Sequence, residues 1–297
     1  MAVQTPAPRD QVVAAAVREL SHIATLPEIT LRIIALVEDP RSTAQDLHKV
    51  IANDPALCSR ILKVVNSAFY GLPGQIGSIN RAIVLLGLNA VKNIAIAASL
   101  AKLFRGGALT PSFSAKDLWA HSMAVAAASK LLADSMKMGL TDEAFLAGLI
   151  HDIGMVVEIQ YDRNKMIEVV ERSAPSGTGP GADMLAAEES VFGATHQDFG
   201  RGLCEKWKFP RSFAHVTGHH HDPMRLPTDS RTMACLVCLA DRMAGTLSVD
   251  SGGFRLDLPS LAYPADVLDE LKLTQARVDE LAGRLPEMLE AVRQILA

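Results

Sequence analysis

Aromatic residues are scarce in this chain of 297 residues: two Trp, three Tyr and nine Phe make up 5%, although 49% of the residues are hydrophobic. Ala, Leu, Val and Ile must therefore fill the interior, which suits closely packed helices. Cysteine is rare too, and the four present are Cys58, Cys204, Cys235 and Cys238. Cys235 and Cys238 have a C-x-x-C spacing, but no second pair completes a zinc site, and their neighbours Leu236, Val237, Leu239 and Ala240 read as buried helix. Charge of one sign is lacking as well. The net charge is -4 without long runs, which excludes the basic footprint of a nucleic-acid binder. No apolar run reads as long enough to span a membrane, since the 94–104 stretch is short and holds Ser99 and Lys102. Pro6, Pro8, Arg9 and Asp10 interrupt any signal peptide. These absences predict a protein of the reducing cytoplasm with neither membrane nor nucleic acid as partner.

Alternating strand patterns are missing, and helical spacing recurs instead. Val12, Val13, Ala16, Val17, Leu20 and Ile23 pattern a helix over 10–24, and Ile29, Ile33, Ile34 and Val37 another over 28–38. Ser42 with Gln45 predicts a capping box for 43–53, and Asp54-Pro55 the start of the next helix. Ser78 caps a helix to Leu86, and a long apolar helix covers about 88–104. Gly106-Gly107 to Pro111 reads as a boundary, and Ser114 with Asp117 caps a helix to about 137. Helices are expected from Thr141 through His151-Asp152, then over 160–172, 183–192, 195–207, from Pro210, and over 229–246, with two or three more after 264. Residues 1–9, the Ser/Gly/Pro-rich 173–181 and Ser251-Gly252-Gly253 read as loops. The expectation is an all-α chain in three parts, 1–110, 111–248 and 249–297. The last helix has a stripe of Leu285, Leu289, Val292 and Leu296, read as folding back on the body rather than as a partner's docking face.

The informative stretch is Gly148-Leu149-Ile150-His151-Asp152-Ile153-Gly154, flanked by Phe145-Leu146-Ala147 and Met155-Val156-Val157. Imidazole and carboxylate sit side by side in apolar surroundings, where a carboxylate needs a metal, a cation or hydrogen-bond donors. The dipeptide alone is weak, and His221-Asp222 repeats it. Its company adds weight: seven of the nine histidines fall between 121 and 221. His121, His151, Asp152 and Asp241 are ligand types for zinc, iron or manganese. His196, His220 and His221 would serve a second ion, and paired ions about 3.5–4 Å apart recur in phosphate-ester hydrolysis. Each has a bland alternative. His121 would be a core histidine, His196 a residue of a polar helix start, one of His219, His220 and His221 solvent-facing, and Asp241 an ion-pair partner of Arg242.

The pattern His121, His151-Asp152, Asp241 resembles the HD superfamily of metal-dependent phosphohydrolases. Asp54-Pro55-Ala56-Leu57, Ile61 to Tyr70, Ile79 to Leu88, Trp119-Ala120-His121-Ser122 and His220-His221-Asp222-Pro223 narrow the likeness to its HDOD family over about residues 20–245. That resemblance implies an N-terminal multi-helix subdomain packed on an HD-type helical bundle. It also implies a bacterial regulatory module that acts on signalling proteins in trans or on a small nucleotide ligand, with one or two divalent ions at the seven residues and no assigned catalytic residue. The alternative it implies is a phosphohydrolase of nucleotides or cyclic dinucleotides, because His196, His220 and His221 match extra positions of the related HD-GYP phosphodiesterases. Met155 replaces the lysine common after His-Asp-x-Gly, and Pro223-Met224-Arg225-Leu226-Pro227 contains no Gly-Tyr-Pro. A phosphate would need another cation, such as Arg242 or Lys165.

Overall fold

A computed structural model describes residues 8–23, 28–67, 70, 72, 74–104, 107–111, 113–174, 183–247, 258 and 260–296. Of the loops expected at 1–9, 173–181 and 251–253, residues 1–7, 175–181 and 251–253 lie outside the described residues, as does Gly106, whereas Arg9 and Ser173 belong to helices. The chain is all-α apart from one short hairpin. Helices α1 (Arg9–Ile23), α2 (Glu28–Glu38), α3 (Ala44–Ala52), α4 (Pro55–Val65), α5 (Ile79–Leu86) and α6 (Leu88–Leu100) come first. A 3-10 turn, Ala101–Phe104, ends the long apolar helix four residues early. Then β1 (Ala108–Thr110) pairs antiparallel with β2 (Phe113–Ser114). This hairpin is too short to show the alternation that marks a strand in sequence.

Caps set several of these boundaries. Asp54 accepts the Leu57 N–H at 2.9 Å with Pro55 in the first turn, and Ser78 accepts from Arg81. The capping box before α3 lies one residue later than expected: Thr43 accepts from the Asp46 N–H and Asp46 accepts from the Thr43 N–H. Ser42 instead donates to the Leu36 carbonyl at 2.7 Å. The buried Lys92 of α6 donates to that same carbonyl and to Ser42 Oγ, tying the end of α2 to the core.

The bundle follows: α7 (Ala115–Ser135), α8 (Thr141–Ile150), α9 (Ile153–Tyr161), α10 (Arg163–Ser173), α11 (Met184–Phe192), α12 (His196–Lys206), α13 (Arg211–His219), a 3-10 turn at Pro223–Arg225, and α14 (Thr232–Gly245). His151 and Asp152 do not extend the helix begun at Thr141. They form the turn between α8 and α9. Residues 141–161 are also, taken together, long and apolar enough to cross a membrane, contrary to the sequence reading, yet 83% of an 18-residue apolar window within them is buried inside the protein. Their apolarity is that of a core element surrounded by α6, α7, α13 and α14.

Helix α6 packs α2–α5 onto α8, and Tyr70 Oη donates to Asp142 Oδ1 at 3.1 Å at the same junction. Helix α1 lies on α9 and α12, held by Arg9 to Glu189 and Asp198. The tail forms α15 (Ala265–Leu271) and α16 (Gln275–Leu296). Leu281, Leu285 and Leu289 of α16 are buried, and the helix packs on α7, α14 and α4.

Candidate metal centre

Two glycines permit the helix crossings behind the centre. A Cβ on Gly148 of α8 would lie 2.7 Å from the Val125 carbonyl oxygen and 2.9 Å from Ala126 Cα of α7. A Cβ on Gly154 of α9 would lie 1.8 Å from the His196 carbonyl oxygen. Only a hydrogen fits at either point. The first crossing brings the end of α8 against the helix bearing His121. The second brings the start of α12, and so His196, against Asp152.

All seven residues predicted for the site converge here. His121, His151, Asp152, His196, His220 and Asp241 are fully buried, and His221 is half-buried. They form two groups, His121 with His151 and Asp241, and Asp152 with His196, His220 and His221, each with its ligand atoms within 4.8 Å of one another. Asp152 joins them. Its Oδ2 lies 3.1 Å from His151 Nε2 and 3.7 Å from His121 Nε2, and its Oδ1 lies 3.3 Å from His220 Nε2 and 3.6 Å from His196 Nε2. His121 Nε2 lies 3.2 Å from Asp241 Oδ1, and His196 Nε2 lies 3.0 Å from His221 Nε2. His219, half-buried, stays outside both groups.

The protons on the far sides of the rings identify what faces inward. His151 Nδ1 is 2.8 Å from the Gly148 carbonyl, His220 Nδ1 is 3.1 Å from the Val216 carbonyl, and His196 Nδ1 is 2.8 Å from Glu188 Oε1. Carbonyl and carboxylate oxygens only accept, so each Nδ1 donates its proton outward. In the neutral rings each Nε2 then turns a lone pair toward the carboxylate oxygens of Asp152. Lone pair faces lone pair across these gaps, and both oxygens of Asp152 and of Asp241 are buried with no hydrogen-bond donor among the described residues. Two atoms bound to one ion at about 2.1 Å sit about 3.0–3.4 Å apart at octahedral or tetrahedral angles. The donor set fits divalent ions, as do four of the six spacings; the gaps from Asp152 to His121 and His196, at 3.7 and 3.6 Å, are slightly wider.

In the metal-free protein the acidic and basic groups balance one another, and His196 gains a second proton. Burial alone would raise the Asp152 carboxyl, but His151, His220 and His196 outweigh it and hold the group well below the ordinary carboxylate range. Burial is likewise outweighed at Asp241, by His121 and His151. Burial opposes a charge on His196, yet the Glu188 carboxylate prevails and pushes it up to about 10. His220 and His221 are pushed down, mainly by burial.

The sequence reading missed Glu188, Gln197 and Glu158. Gln197 Oε1 accepts the His221 N–H at 3.2 Å. Glu158 is fully buried, and burial with the nearby Glu188 charge pushes its carboxyl well up. None sits in a motif, and Ala186-Ala187-Glu188-Glu189-Ser190 reads like an ordinary solvated helix face. The cations named for a phosphate are engaged elsewhere: Arg242 donates to the Cys238 and Ala262 carbonyls, and Lys165 Nζ lies 5.5 Å over the Phe192 ring. Met155 is buried in the core. Cys235 and Cys238 are also buried, and burial pushes their thiols up to about 11 and about 12, against a redox role.

Comparison with known proteins places these features. The HDOD domain family matches residues 23–223. An uncharacterized protein of Treponema pallidum (strain Nichols) is 24% identical over 223 residues; the match takes in 75% of this chain but only 42% of that protein, so this chain spans less than half its relative's length. Among solved structures, an HDOD domain protein of unknown function from Geobacter sulfurreducens is similar with a TM-score of 0.71 and 24% identity, over 96% of this chain and 99% of that one. A protein of Marinobacter aquaeolei VT8, provisionally named a signal transduction protein, gives 0.72 and 22% over 97% and 66%. One from Shewanella amazonensis SB2B, provisionally named a phosphohydrolase, gives 0.70 and 22% over 96% and 98%. At these identities the likeness is one of fold.

Proposed function

This chain belongs to the HDOD domain family, and from that premise we propose that it is a bacterial regulatory module of the cytoplasm that holds two divalent ions and acts by binding a signalling protein or a small nucleotide. The observation that carries the metal reading is the split of Asp152, whose two oxygens face two separate sets of imidazole nitrogens. His121, His151, Asp241 and Asp152 Oδ2 would hold one ion. Asp152 Oδ1, His196, His220 and His221 would hold the other. Zinc, iron and manganese all accept such nitrogen and oxygen donors. When bound, such ions supply positive charge between the acceptors and Lewis acidity toward any oxygen that reaches them.

Burial favours regulation over turnover. Six of the seven residues are fully buried, with His221 the partly open member, whereas a phosphodiester needs a cleft and a cation beside its charge. Met155 provides no such cation, and Arg242 and Lys165 are held elsewhere. The phosphohydrolase reading retains support from the donor set itself.

Elemental analysis of protein purified without a metal-affinity tag tests the proposal. About two ions per chain are expected, and loss of both in His151→Ala, Asp152→Ala. Absence of metal after incubation with iron, manganese and zinc would sink it. Hydrolysis of nucleotides or cyclic dinucleotides by the metal-loaded protein, abolished in the variant, would establish the enzyme instead.

A further inference from the structure

The three histidines with anchored Nδ1 protons are not anchored alike. His151 and His220 donate to carbonyls three and four residues earlier in the chain, so the turn that carries each ring also orients it. His196 is the first residue of α12 and has no preceding helical turn. Its acceptor comes from another element. Glu188 on α11, fully buried, takes the Nδ1 proton with Oε1 and Oε2 at 2.8 and 2.9 Å and the His196 backbone N–H with Oε2 at 2.9 Å. One carboxylate thus fixes the ring's tautomer, its orientation and the start of its helix. A carboxylate behind an imidazole also strengthens it as an electron-pair donor more than a carbonyl does.

We propose that Glu188 is the positioning residue of the second ion site: by holding the His196 Nδ1 proton it leaves Nε2 as the nitrogen that meets the ion, and it thereby governs retention of the ion at Asp152 Oδ1, His196, His220 and His221 but not of the ion on the Asp241 side. The inference rests on the two-ion reading and adds to it that the two sites are separable through a residue that touches neither ion.

Glu188→Gln tests it at constant shape. Glutamine has one acceptor for two donors. If its oxygen keeps the backbone N–H, its NH2 donates to Nδ1 and drives the ring proton to Nε2. If its oxygen keeps the Nδ1 proton, its NH2 abuts the backbone N–H that opens α12. Cobalt(II) is the probe, counted by elemental analysis after desalting and read by visible absorption in wild type, Glu188→Gln, His196→Ala and the double variant. The second site should weaken about 10–100-fold in Glu188→Gln, leaving about one ion per chain where wild type keeps about two. The double variant should match His196→Ala, because Glu188 acts through that ring. Glu188→Asp retains both oxygens at shorter reach and should fall in between, which preserves the comparison should the glutamine variant fold poorly. Two ions at wild-type affinity in Glu188→Gln would overturn the inference and leave the two-ion reading standing. Equal weakening of both sites, with a lower melting temperature of the metal-free protein, would also overturn it by showing a merely structural role. Wild type that takes up no cobalt would remove the two-ion reading itself.

Discussion

His196 and Glu188 form an ion pair inside the bundle of the metal-free protein, and that pair has a pH signature. The His196 pKa rises from an ordinary 6.5 to about 10 on folding. A raised folded-state value means stability that is fully present below pH 6.5 and lost as the pH rises through about 10. The contribution is on the order of several kcal/mol, since one pKa unit is about 1.4 kcal/mol. Urea midpoints of metal-free protein should therefore fall from pH 6.5 to 10, and His196→Gln should flatten that slope; an unchanged slope in the variant would count against the pair. His121, His151, Asp152 and Asp241 were legible because imidazole and carboxylate stood in apolar sequence, whereas His196, His220 and His221 were named from the clustering of histidines and the family resemblance. Glu188 was not, because a polar helix face gives no sign that another helix will cover it.

Among the elements, the α9–α12 crossing matters most to the centre. Gly154→Ala would place a methyl inside the His196 carbonyl, which is backbone and cannot swing aside. Helix α9 must then lift from α12, at about 3 kcal/mol or more, and His196 must leave Asp152. A lowered melting temperature together with loss of the second ion is expected, and a variant with wild-type stability and metal content would refute the crossing's role. The His-Asp-x-Gly spacing is read in sequence as a metal motif. Its glycine has a different task, the approach of two backbones. Helix ends were largely legible from Asp54, Ser78 and Ser114, whereas Thr43 displaced Ser42 as a cap because Ser42 is drawn to Leu36 and Lys92.

At the scale of the molecule, α16 closes the bundle over α7 and α14 and reaches α4 of the N-terminal helices. Leu285 is fully buried on that face. Leu285→Ala should cost about 2–5 kcal/mol, seen as a single shifted transition if α16 unfolds with the rest. An early, separate transition for the tail would show that it is a detachable appendage. The stripe of leucines indicated a helix with one buried face, but its partner could not be read from spacing, because amphipathicity names a face and not what covers it.

The sequence by itself determined the all-α class, most helix ends and the identity of the candidate ligands, because these depend on local periodicity, capping chemistry and residue type. Only the tertiary structure decided that His151 and Asp152 occupy a turn, that Asp152 turns one oxygen to each group of histidines, and that Glu188 stands behind His196. Those relations join residues tens of positions apart, and they arise only when Gly148 and Gly154 let α7, α8, α9 and α12 approach at backbone distance.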